Sequence, residues 1–190
     1  MTVNTANTLA EAHKAIAAIS ATDKEAQGTA FQFLMRETEQ PVSWGYAIWD
    51  DLIAALDHKD NRTRAIAGQL LCNLAKSDSD ARLERDLGRI FAVTFDERFV
   101  TARHVLLALW KAGVHNLKVR TDLVRKLAER FEVCVNEKNW TLVRYDILCT
   151  LRTLYDRTGD VEVSNAALAL IPLEPDPKYR KKYASAWRGV

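Results

Sequence analysis

Three features of the sequence predict an all-α fold. Apolar residues recur at i, i+3, i+4 and i+7 in one segment after another, the spacing that lines one face of a helix, and strand-like alternation is almost absent. Helix breakers are few, with 7 Gly and 4 Pro in 190 residues. With 48% hydrophobic and 27% charged residues, the composition excludes a disordered, fibrous or loop-dominated chain. The length is enough to bury a sizeable core in one domain or one continuous array.

In chain order, the periodicity predicts helices over 8–20, 23–38, 43–56, 60–76, 80–94, 97–112, 118–134, 139–157, 160–170 and 176–187, joined by short polar or Gly/Pro-containing links. The first carries "AIAAIS", a run too short to span a membrane and without the basic start or cleavage site of a secretory leader. The second carries Phe31 and Met35, and the third begins in the aromatic stretch "SWGYAIWDD". The fourth opens after Asp60, and the pairs over 80–112 and 118–157 repeat its pattern. Helix 160–170 runs into Pro172, Pro175 and Pro177, which interrupt the series. Beyond them Tyr179, Tyr183 and Trp187 recur at i, i+4 and i+8, opposite Lys178, Lys181, Lys182 and Arg188. That last helix reads as a cap whose aromatic stripe covers the final hairpin, or otherwise as a docking helix for acidic or membrane-surface partners. The expected organisation is a disordered start at 1–7, a repeat array at 8–171 and a Pro-interrupted capping helix at 172–190.

The second helices of the hairpins superimpose at a nearly fixed period. Placing Arg64 over Arg103 and Arg144 aligns "TRAIAGQLLCNLAK" with "ARHVLLALWKAGVH" and "VRYDILCTLRTLYD", at separations of 39 and 41 residues. Ala67, Leu106 and Ile147 then share a column, as do Leu70, Leu109 and Thr150, and Leu71, Trp110 and Leu151. A weaker copy lies about one period earlier, around Lys24 and Glu25.

On these residues the chain resembles the HEAT-repeat family. "LDHKDNRTRAIAGQLLCNLA" matches that family's turn and second helix, with Asp60 before the helix, Arg64 four residues on, then Ala67, Leu70, Leu71 and Leu74. The match is good over residues 42–76; in the later copies the arginine follows Asp96 by seven residues, and Trp140 stands where the aspartate would be. The resemblance implies a right-handed α-α superhelix, a solenoid of about four to five helical hairpins. It also implies that Asp60, Arg64, Arg103 and Arg144 form a structural ladder of hydrogen bonds between adjacent repeats, a role suited to the planar, multi-donor guanidinium.

If the arginines mark the seam, residues one position later and at further helical steps face the concave surface. Candidate partner-binding residues there are His104, Lys111, His115, Tyr145 and Arg152. Residues 1–60 carry a net charge of −5, residues 61–130 carry +6 and residues 131–190 carry +1, which gives the middle a basic character within an overall +2.

Signatures of catalysis are absent: there is no Gly-rich phosphate loop, Gly-x-Ser-x-Gly elbow or His-Glu-x-x-His motif. His104 and His115 lie three helical turns apart, about 16 Å of rise, too far for one metal ion. Cys72, Cys134 and Cys149 form no Cys-x-x-Cys pair, as is ordinary in a reducing cytosol. Alkylbase DNA glycosylases built from HEAT-like repeats combine tryptophans with an aspartate, as Trp44, Tyr46, Trp49, Asp50 and Asp51 do here, although the spacing differs from theirs. The expectation is a cytoplasmic, non-catalytic scaffold that binds a protein or peptide along its concave face, without metal or cofactor and without a membrane span. The alternative is a nucleic-acid-binding protein of the same architecture.

Overall fold

The structure, a computed structural model, describes residues 8–190 in full and the helical backbone of residues 2–7; the disorder expected over 1–7 falls where side chains lie outside the described residues. Its helices are α1 (Thr2–Ile19), α2 (Lys24–Glu37), α3 (Trp49–Ala55), α4 (Asn61–Asn73), α5 (Arg82–Ala92), α6 (Phe99–Ala108), α7 (Trp110–Val114), α8 (Leu117–Val133), α9 (Trp140–Thr158), α10 (Val161–Leu170) and α11 (Pro177–Ala186). The described residues contain no strand. The all-helical expectation therefore holds.

Local chemistry sets many of the helix starts. Asp23, Asp60, Asn116, Asp160 and Asp176 each stand before a helix and accept a hydrogen bond from a first-turn N–H. Each such cap is worth about 1 kcal/mol. Gly159, at φ +65°, closes α9 in the left-handed conformation that favours glycine. Two expectations differ in detail. Helix 43–56 is a short 3₁₀ turn at Gly45–Ala47 followed by the shorter α3. The single helix over 97–112 divides at Leu109, where the Ala112 N–H bonds the Leu109 carbonyl three residues back and tightens the turn.

The helices fall into two rows. In one, α3 packs on α5, α5 on α8 and α8 on α10; in the other, α2 packs on α4, α4 on α6 and α7, α6 and α7 on α9, and α9 on α11. Between the rows a single apolar cluster runs from Ile19 and Leu34 through Leu70, Leu71, Val105 and Leu109 to Leu127, Phe131, Leu151 and Tyr183. Each fully buried Leu, Ile or Phe contributes roughly 1.5–3 kcal/mol. The α4–α6 approach is especially close because Gly68 has no side chain: a Cβ there would lie 2.6 Å from Val105 Cγ2. Tyr183 and Trp187 of the C-terminal segment are buried against α9, with Tyr183 Oη donating to the Thr141 carbonyl and Trp187 Nε1 to the Leu148 carbonyl. Among the described residues no helix is long and apolar enough to cross a membrane.

Candidate functional site

The three period-related arginines all point into contacts between successive hairpins. Arg64 donates to both carboxylate oxygens of Asp96, at 2.6 and 2.9 Å, and to the His58 and Lys59 carbonyls. Arg103 reaches Asp146 and Arg144 reaches the fully buried Glu174. Asp60 turns onto its own helix and accepts from the Arg62 N–H at 2.8 Å. The Arg64 guanidinium takes its carboxylate from the turn before α6. The Arg64 hydrogen bonds raise the guanidinium's pKa. Burial alone would raise the Asp96 pKa, but the Arg64 and Arg98 donors outweigh it and hold the carboxyl below its ordinary value.

The five residues expected on one binding face are divided among three places. His104 lines a crevice with Lys24, Asn61 and Arg62. Lys111 and His115 share a second cleft. Tyr145 and Arg152 lie against the C-terminal segment: Tyr145 stacks on Tyr183 beneath Lys182, while Arg152 donates to the Ala186 and Arg188 carbonyls and lies over the Trp187 ring. The capping segment occupies the surface these two were expected to offer.

The cleft holding Lys111 and His115 is lined mainly by polar side chains. About 500 Å³ in volume, it gathers side chains from four consecutive hairpins: Glu39 after α2, Asn73 and Lys76 at the end of α4, Trp110 and Lys111 on α7, and Arg157 on α9. Asn73 is its hub. The buried amide donates to the Thr38 carbonyl and hydroxyl at 3.1 and 2.7 Å and accepts from Lys111 Nζ at 2.9 Å, which fixes which way the amide faces. Lys76 Nζ donates to the Thr38 and Glu39 carbonyls, and so closes the C-terminal end of α2. Burial lowers the pKa of Lys111; it also lowers that of Lys76, where the neighbouring Lys111 charge adds to it. Trp110 lies between two cations, with Lys111 at 5.7 Å and Arg157 at 5.4 Å from its ring centroid. Among the described residues, none of Lys76, Lys111 and Arg157 forms an ion pair with a carboxylate. The column beside the arginines holds Lys76, Lys111 and His115, of which only Lys111 and His115 were expected to bind a partner; Asn73, Trp110 and Arg157 lie outside that column. Lys76 stood in view as the repeat equivalent of His115.

Elsewhere the candidate chemistry is committed to packing. Trp49 is 1% exposed and donates to Asp86, Trp44 is buried, and Tyr46 donates to Asp78 under the Arg82 guanidinium. No tryptophan of that segment presents a face for stacking on a base. The Cys72 thiol is pushed up to about 12 by complete burial, which keeps it protonated and unreactive. Among the described residues no group of three or more His, Cys, Asp or Glu is arranged to hold a metal ion. Compared with known protein families, curated proteins and solved structures, the chain has no match.

Proposed function

We propose that the chain is a HEAT-like, right-handed α-solenoid acting as a non-catalytic scaffold, and that it binds a protein or peptide partner through the Lys76–Lys111–Arg157 cleft. The observation carrying this reading is the convergence of three cations from successive hairpins, none of which forms an ion pair with a carboxylate among the described residues. Cations left unpaired at a built, partly desolvated surface favour an anionic partner, and such complementarity steers association as well as selecting the partner. The two-row packing and the Arg64, Arg103 and Arg144 contacts at the repeat period support the solenoid reading.

The test compares wild type with the double variant Lys76→Glu, Arg157→Glu in affinity capture with quantitative mass spectrometry. Partners of the cleft are expected to be depleted at least about tenfold in the variant, since reversed charges replace attraction with repulsion. An unchanged partner set, with the variant shown folded by circular dichroism, would remove the cleft from the reading.

A further inference from the structure

The cleft's charge and donor count point to a narrower ligand class. Lys76 uses two ammonium hydrogens on carbonyls and Lys111 uses one on Asn73, leaving donors on both; the Arg157 guanidinium makes no hydrogen bond among the described residues. These unused donors come from three separate elements and line one cleft, with Trp110 as one wall and His115 at its edge. Among the described residues the one carboxylate lining it is Glu39, which leaves two positive charges in excess.

Helix capping does not account for them. The α7 carbonyls of Gly113 and Val114 accept from Arg120, and the end of α9 is closed by the Gly159 N–H on the Tyr155 carbonyl. Lys76 closes α2, while Lys111 and Arg157, in the last turns of α7 and α9, donate to no helix-end carbonyl among the described residues.

We propose that the cleft binds a phosphoryl group carried on a peptide segment of a partner protein, a phosphoserine or phosphothreonine side chain. This rests on the peptide-scaffold reading of the same site. A phosphate monoester carries about −1.5 to −2 charges and three acceptor oxygens, which match an excess of two charges and three converging donor groups. A side-chain carboxylate offers one charge and two oxygens, so it leaves one cation unpaired in the half-buried site. Trp110 packs beside the phosphate on the aliphatic part of the modified residue.

The experiment titrates the full chain, uniformly ¹⁵N-labelled, with four probes: a capped phosphoserine tripeptide, the same peptide with glutamate in place of phosphoserine, inorganic phosphate, and a short single-stranded oligonucleotide. Amide and indole shifts of Trp110 to His115 report on the cleft. The phosphopeptide is expected to shift these signals and bind about tenfold tighter than the glutamate peptide, with inorganic phosphate competing at the same signals. Arg157→Gln removes no internal hydrogen bond and only the cation–π contact with Trp110, and is expected to weaken phosphopeptide binding about tenfold with a Tm lowered by no more than that one contact accounts for. Equal affinity for the phosphoserine and glutamate peptides would overturn the phosphoryl assignment and leave the scaffold reading standing. Shifts outside the cleft, tighter binding of the oligonucleotide, or no effect of Arg157→Gln would each overturn it too. Failure of the scaffold reading is seen separately, as an unchanged partner set on charge reversal.

Discussion

The contact between α4 and α6 and the contact between α6 and α9 are built from aligned arginines, yet their carboxylates sit in opposite electrostatic states. Asp96 receives three donors, two from Arg64 and one from the Arg98 N–H, and its pKa is lowered. Asp146 receives one aligned hydrogen bond from Arg103 at 3.2 Å. Its other oxygen lies 2.8 Å from Arg103 Nε without hydrogen-bond alignment and has no hydrogen-bond partner among the described residues. Burial, with the Asp146 side chain 2% exposed, therefore outweighs the Arg103 charge and raises its pKa. Arg103 is the more open arginine, at 43% exposure against 15% for Arg64. A repeated arginine thus guarantees a contact between hairpins but not its energy, which depends on how many donors surround the acid.

The largest difference between the two seams should appear when their acids are neutralised. Asp96→Asn leaves the Arg64 guanidinium partly buried without its carboxylate, and is expected to cost about 3 kcal/mol in urea unfolding. A loss under about 1 kcal/mol would place the two seams on equal footing. Backbone approach gives the next effect. Gly68→Ala forces a Cβ against Val105 and is expected to cost about 2 kcal/mol through overpacking of α4 on α6. At the weaker seam, Asp146→Asn removes a poorly solvated charge while Arg103 stays free to hydrate, so the expected change at neutral pH is within about 1 kcal/mol.

The pH dependence should have opposite sign at the two acids. Asp96 is lowered, so its contribution is present above the unfolded value of 3.8 and is lost as pH falls through the folded pKa. Asp146 is raised, so the stability it confers is present below 3.8 and is lost as pH rises through its folded pKa. Melting curves of wild type and the two asparagine variants across the acid range should show the wild-type advantage over Asp96→Asn shrinking toward low pH. The difference from Asp146→Asn should run the other way. Curves parallel to wild type for both variants would mean that neither acid titrates as the contacts imply.

Helix positions were legible because capping and apolar periodicity act over a few residues. Asp23, Asp60 and Asp160 mark their helix starts in the sequence as in the structure. The repeat spacing likewise aligned Arg64, Arg103 and Arg144, while the acids they meet lie 32, 43 and 30 positions from them. No local pattern selects Asp96 as the partner of Arg64. The candidate surface was legible only in part for the same reason. Lys111 and His115 fell in the expected column, whereas Tyr145 and Arg152 meet a segment more than thirty residues further on, and Arg157 joins the cleft only through the packing of α7 on α9.

The sequence by itself determined that the chain is helical, where its helices begin, and which arginines recur at the hairpin period, since these follow from short-range hydrogen bonding and the 3.6-residue repeat. Tertiary structure alone decided which carboxylate each arginine finds, that the last helix covers Tyr145 and Arg152, and that Lys76, Lys111 and Arg157 share one cleft. Those outcomes depend on how successive hairpins pack their apolar faces, and so on distances between residues far apart along the chain.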